Sequence, residues 1–146
     1  MEHDEQSTLF RWCELRLTQF PDLKWLFAIP NGAKFAFRKT PNGGRYSPQA
    51  NYLKAEGALK PGIVDIFLPV PVGEYHGLWI EMKYKKNKMS PEQEMFANDM
   101  MAYGYAFELC RSAREAAEKI LTYLGSSDAI TYSNELGDDY DGRAEI

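Results

Sequence analysis

Gly62-Ile63-Val64-Asp65-Ile66-Phe67-Leu68 and Gly77-Leu78-Trp79-Ile80-Glu81-Met82-Lys83-Tyr84 decide the fold of this chain. Both are short apolar runs rich in β-branched and aromatic residues, joined by the Pro/Gly-rich connection Pro69 to His76. They predict two strands paired as a β-hairpin and, being nearly continuous in apolarity, buried on both faces. Asp65, Glu81 and Lys83 interrupt that apolarity. Residues two apart in a strand share a face, so Glu81 and Lys83 point together while Met82 points away. Pairing of the strands brings Asp65, expected in mid-strand, toward them. A buried carboxylate without compensation is costly, and a cation supplies the missing charge. Two carboxylates with a backbone carbonyl and waters form an oxygen-rich set that suits Mg²⁺ or Mn²⁺. Beside it, a lysine positions or deprotonates a water and neutralises charge on a phosphate under attack. The competing account is a surface ion pair, since Glu-x-Lys recurs in many proteins.

Around this pair the sequence lays out six further elements. Leu9, Phe10, Trp12, Cys13, Leu17 and Phe20 recur at helical spacing, predicting a helix over 5–20 that Pro21 stops. Leu23 to Ile29 reads as a buried strand ended by Pro30-Asn31-Gly32. Residues 31–47 mix Asn and Gly turn signals with Lys34, Arg38, Lys39 and Arg45 and the aromatics Phe35, Phe37 and Tyr46. That composition is expected to form a loop, mobile until it meets a polyanion. Ser47-Pro48 starts a short helix to about Glu56, which Gly57 ends. Ser90-Pro91 opens another to Tyr103, Tyr105 to Cys110 reads as a strand, and Ser112 to Leu124 as an amphipathic closing helix. The order α-β-α-β-β-α-β-α implies an α/β domain with helices on both faces of its sheet. That domain is expected over residues 1–125. Residues 126–146 hold six acids and one arginine, and are expected to form an acidic tail that packs weakly if at all.

The charge is unevenly spread. Residues 24–90 hold eleven Lys and Arg against four Asp and Glu, a balance of +7 inside a chain of net charge −4. Two of those four acids are Asp65 and Glu81 themselves, so a positive surface around the pair is expected; a solvated lysine-rich face is the plainer alternative. No apolar run approaches the ~18 residues that span a bilayer. The acidic, polar start from Met1 to Gln6 is unlike a secretory leader, so a cytosolic setting is expected. Cys13 and Cys110 are isolated among apolar residues and read as buried small hydrophobes. His3 and His76 have no partner spacing and receive no role.

Asn31-Gly32, Leu53-Lys54, Gly57, Lys60-Pro61-Gly62-Ile63-Val64-Asp65, Gly77 to Lys83, Ser90-Pro91-Glu92-Gln93 and Gly104-Tyr105 together resemble the successive motifs of the VRR-NUC branch of the PD-(D/E)XK nucleases. The resemblance spans residues 5 to 124, with one departure: Val64 stands where the superfamily name puts a proline that carries no chemistry. It implies a restriction-endonuclease-like core, a mixed β-sheet flanked by helices, and Mg²⁺- or Mn²⁺-dependent hydrolysis of DNA. For the short stand-alone members typical of phages and bacteria it implies a homodimer resolving branched DNA such as four-way (Holliday) junctions. Carried over, Asp65 and Glu81 match metal ligands, Met82 offers its carbonyl, and Lys83 matches the catalytic lysine. A glutamate on the first helix is also implied. Glu5 is the choice, at the edge of the apolar face, over Glu14 on the opposite side and Glu2 before the helix; helix-start electrostatics alone also explains an acid there. Gln6 falls near the middle of the apolar stripe, as a satisfied buried amide would. Gln93 is implied near the site, and as third residue of its helix it also suits a capping box with Ser90. Asn31, Lys34, Arg38, Lys39, Arg45, Lys54, Lys60, Lys85, Lys86 and Lys88 are the candidates for DNA contact. Two alternatives stay open: a nuclease directed to flaps, nicks or ends alongside a replication or repair protein, and a DNA-binding module without chemistry.

Overall fold

A computed structural model describes residues 2–30, 38–39 and 41–137 of the chain. Among the described residues six strands are present: β1 Phe27–Ala28, β2 Arg38–Lys39, β3 Arg45–Tyr46, β4 Ile66–Leu68, β5 Leu78–Met82 and β6 Ala106–Cys110. Five α-helices accompany them there: α1 Glu2–Leu15, α2 Pro48–Ala55, α3 Pro91–Ala102, α4 Ala113–Tyr123 and α5 Ala129–Ser133. The main sheet runs β1-β4-β5-β6. β4 and β5 form the expected antiparallel hairpin, β1 joins antiparallel to β4, and β6 lies parallel to β5 after the α3 crossover. The sheet is therefore mixed and the class α/β, as the element order implies.

Strand alternation gives the sheet two unlike faces. Ile66, Leu68, Leu78, Ile80, Met82 and Cys110 point to one side, where they meet Leu9, Trp12 and Cys13 of α1 and Ala116, Ala117, Ile120 and Leu121 of α4 in the main core. These side chains are almost entirely closed off from solvent. The other side carries Asp65, Phe67, Trp79, Glu81 and Phe107, in part beneath α3, whose Phe96 meets Trp79 edge-on at 4.9 Å. Both cysteines are free and buried on the first side. Burial pushes the Cys13 thiol up to about 12 and the Cys110 thiol up further, as expected of inert small hydrophobes.

The chain departs from its sequence pattern in five places. α1 runs Glu2–Leu15 rather than 5–20: Glu2 is its first residue instead of preceding it, and the helix ends early because Leu15 and Leu17 are exposed and add nothing to the buried stripe. The expected strand over 23–29 is mostly a 3₁₀ turn, Pro21–Trp25, with proline fixing its first residue, and only Phe27 and Ala28 pair with β4. Inside the expected loop, β2 and β3 pair antiparallel, Arg38 opposite Tyr46. Asp65 lies just before β4 instead of in mid-strand.

The fifth departure is the tail. From residue 126 to 137 it packs on the domain: Ala129 and Ser133 are buried, and Tyr132 meets Phe20 edge-on at 5.1 Å. Glu135 accepts hydrogen bonds from Trp12 Nε1 at 3.2 Å and Arg16 Nε at 2.8 Å. A five-residue helix is too short to display a period, so composition alone conceals it. Residues 138–146 lie outside the described residues. Among the described residues no helix is long and apolar enough to cross a membrane.

Candidate active site

Asp65 ties three strands together. Ile66 stands opposite Ile80, so one step further Asp65 stands opposite Glu81. Its backbone carbonyl accepts from Ile29 N at 2.7 Å, extending the β1 ladder by one bond. Its side-chain Oδ2 accepts from Met82 N at 3.0 Å. Lys83 N donates across to Cys110 O at 2.9 Å, so Met82 N, alternating with it, faces β4. There the chain has left the ladder, and the Asp65 carboxylate takes the donor that the Val64 carbonyl would otherwise have received. The carboxylate is thereby fixed in the gap where β4 and β5 part.

Glu81 sits on the same strand face as Trp79 and Lys83 and is 1% exposed. Its Oε2 accepts from Gln93 Nε2 at 2.9 Å. Gln93 does two things at once: its Oε1 accepts from Ser90 N at 2.9 Å while its own N donates to Ser90 Oγ at 3.1 Å. The side chain that closes the capping box of α3 is thus the one that holds Glu81. Gly62 explains how α3 comes so near: at φ +84, a Cβ there would lie 2.9 Å from backbone atoms of Glu92. Only glycine allows both that turn and that approach. Lys83, partly exposed, continues the extended strand beyond β5, and two positions of extended chain separate it from Glu81.

Opposed carboxylates of which one is nearly sealed from solvent repel unless a cation lies between them. The donors on hand, Asp65, Glu81 and the Met82 carbonyl, are all oxygen, the set that suits Mg²⁺ or Mn²⁺. Among the described residues no group of three or more His, Cys, Asp or Glu side chains gathers as a metal site. Glu5, 5% exposed, is engaged at the start of α4: its Oε2 accepts from Ala113 N, the first residue of α4, at 2.6 Å. It thus joins α1 to the start of α4 and favours that positive helix end. Gln6 is buried as the stripe requires, Glu14 is exposed, and the Glu2 side chain lies outside the described residues.

The basic candidates are less gathered. Lys54, in the last turn of α2, and Lys60, two residues before Gly62, are exposed. Lys85, Lys86 and Lys88 are exposed on the turn that follows Lys83. Asn31 and Lys34 lie outside the described residues, as do the side chains of Arg38, Lys39 and Arg45. Arg111 holds the lysine turn, donating through one guanidinium nitrogen to Lys85 O at 2.6 Å and Asn87 O at 2.9 Å, while Lys85 adopts φ 52. Nothing in the sequence singles out Arg111, because its acceptors are carbonyls distant in the chain. The capping box, by contrast, is written in Ser90-Pro91-Glu92-Gln93.

No family model matches the chain, and no curated protein matches it. A solved structure described as a VRR_NUC domain protein superposes with a TM-score of 0.61 and 22% sequence identity, covering 85% of this chain and 88% of its own. The two share a fold, and the mixed four-stranded sheet with flanking helices is the restriction-endonuclease-like arrangement expected from the sequence.

Proposed function

We propose that the chain is a metal-dependent nuclease that hydrolyses phosphodiester bonds in DNA at structural features rather than at a sequence. The carrying observation is the opposition of Asp65 and buried Glu81, with Lys83 two positions on along the same strand face. Asp65, Glu81 and the Met82 carbonyl would hold Mg²⁺ or Mn²⁺. Bound there, the ion supplies polarisation of the scissile phosphate and a lowered pKa for water. The chain's own residues do the rest. Lys83 orients or deprotonates the attacking water and offsets negative charge growing on the phosphate. Gln93 keeps the Glu81 carboxylate aimed by hydrogen-bonding one of its oxygens. Glu5 acts at one remove, fixing α1 against the start of α4, where β6 delivers the chain. Exposed Lys54, Lys60, Lys85, Lys86 and Lys88, with Asn31, Lys34, Arg38, Lys39 and Arg45, contribute phosphate contacts that fall away with salt.

The substrate reading is branched DNA, a four-way junction resolved by a homodimer in the cytoplasm of a bacterial or phage-infected cell. A two-fold dimer places two cuts across a symmetric junction. The second reading, a nuclease acting at flaps, nicks or ends, is favoured by the exposed Phe27 ring on the site face. A cleavage panel of labelled junction, flap, nicked and plain duplex DNA tests both, using wild type and Asp65→Ala, Glu81→Ala and Lys83→Ala. Each variant should lose Mg²⁺-dependent cleavage while keeping salt-sensitive binding. Undiminished cleavage by all three would remove the mechanism, and a monomer in light scattering would remove junction resolution.

A further inference from the structure

One row of register partners crosses the whole sheet as aromatics: Phe27 opposite Phe67, Phe67 opposite Trp79, and Trp79 opposite Phe107. Phe67 and Trp79 stack with centroids 4.1 Å apart and planes at 22°, and Phe27 meets Phe67 edge-on at 5.9 Å. The row lies on the face that bears Asp65 and Glu81, each two residues along the strand from Phe67 and Trp79, a separation of about 7 Å. At its β1 end the row opens to solvent: Phe27 is 46% exposed, and Trp25, two residues earlier at the end of the 3₁₀ turn, is 56% exposed. Lys24 Nζ lies 5.2 Å from the Trp25 ring centroid, placing an ammonium beside that ring.

Other rings are exposed as much, Tyr52 and Tyr103 among them, but Phe27 lies on the sheet face that bears Asp65 and Glu81. Aromatic surface interleaved with cations and adjoining a site for phosphate chemistry has the composition that binds unpaired nucleic acid. Bases stack on the rings while lysines follow the backbone. We propose that Trp25 and Phe27, backed by Phe67 and Trp79, form a stacking platform for unpaired nucleobases flanking the phosphate held at Asp65 and Glu81. This inference rests on the nuclease reading. It narrows the substrate class to DNA whose scissile strand carries single-stranded nucleotides beside the cut. A base held on the platform fixes the strand so that its phosphate meets the carboxylates, and a fully stacked duplex has no base free to occupy it.

The test uses the full chain in EDTA, so that binding is read without cleavage. A short oligothymidylate is compared with duplex DNA of equal length by tryptophan quenching and fluorescence anisotropy. Oligothymidylate should quench, and Trp25→Phe should remove most of that quenching. Phe27→Ala should weaken oligothymidylate binding about tenfold while duplex binding falls by roughly twofold or less. Phe27→Tyr, which keeps the ring, should bind like wild type; Phe27→Leu, which keeps only apolar bulk, should behave like the alanine. Equal losses on both DNAs, or full affinity in Phe27→Leu, would overturn the platform. So would a dimer that comes apart in Phe27→Ala, which would assign the patch to a second copy of the chain. Failure of the nuclease reading looks different: ring-dependent binding would persist with no DNA of any structure cut in Mg²⁺. If cleavage persists and the ring makes no difference to binding, the platform alone fails.

Discussion

The two faces of the central sheet are made by alternate residues of the same strands, yet they differ in almost every property. Leu78, Ile80 and Met82 of β5 point into a closed aliphatic core against α1 and α4. Trp79 and Glu81, between them, face an aromatic and charged surface in part beneath α3. On the first face the buried acid Glu5 is bonded to Ala113 N. The second carries an almost sealed carboxylate and a buried Trp79 indole N–H that has no partner among the described residues. An unsatisfied buried donor costs roughly 1–3 kcal/mol. One face thus stabilises the fold, and that stability tolerates a second face that holds a sealed carboxylate and an unpaired donor.

Separate substitutions on the two faces should therefore separate stability from activity. The largest effect on stability is expected on the closed face. Ile80→Ala, at a side chain with no exposure, should cost about 2–5 kcal/mol in urea denaturation, while the folded fraction keeps its cleavage rate. Lys83→Ala should do the reverse, changing stability by roughly 0.5 kcal/mol or less while removing cleavage. A Lys83→Ala protein that unfolds would break the division.

Metal linkage comes next. Mg²⁺ at about a hundred times its dissociation constant should stabilise wild type by about 2.7 kcal/mol, seen as a raised Tm. That increment should vanish in Asp65→Ala and persist in Glu14→Ala, whose side chain is exposed on α1.

Gln93 gives a smaller and more diagnostic effect, since it serves the fold and the site together. Gln93→Ala should cost about 1 kcal/mol through the lost cap and also slow cleavage. Gln93→Glu still accepts from Ser90 N but sets a second carboxylate against Glu81 instead of a donor, so it should lose the rate and also lose stability at neutral pH. Equal rates in Gln93→Glu and wild type would confine Gln93 to its cap.

The smallest effect at neutral pH belongs to the thiols. Cys13 is held up to about 12 against 9.0 for an ordinary thiol, so the folded chain retains a proton that the unfolded chain releases. Their contribution is constant below pH 9.0 and declines as pH rises from there toward about 12. Denaturant titrations at about pH 8 and about pH 10 should show the loss, and Cys13→Ala should show less of it.

Much of this organisation can be read in the residues themselves. Nearly unbroken apolarity around Asp65 and Glu81 gives the buried hairpin, and alternation assigns Glu81 and Lys83 to one face. Ser90-Pro91-Glu92-Gln93 announces a capped helix, and Ser47-Pro48 does the same for α2. β2, β3 and α5 are missed, because elements of two to five residues without a strong apolar run display no period, and β1 is only a two-residue remnant of the strand expected over 23–29. Contacts between distant backbone and side chains are missed for a different reason. The Glu5 bond to Ala113 N and the Arg111 bonds to the lysine turn depend on where strands end, which local pattern does not encode. The aromatic row needs the register of four strands before it exists at all.

The central claim is that Asp65 and Glu81 act through their charge on a cation, with Lys83 beside them. Asp65→Asn and Glu81→Gln keep shape and remove only that charge, and the asparagine amide oxygen can still accept from Met82 N. Single-turnover cleavage of labelled branched DNA, with Mg²⁺ and with EDTA, is the most direct measurement. Wild type should cut only with Mg²⁺, and both isosteric variants should lose at least about a hundredfold in rate while remaining folded. Cleavage by wild type in EDTA, or wild-type rates in both variants, would contradict it.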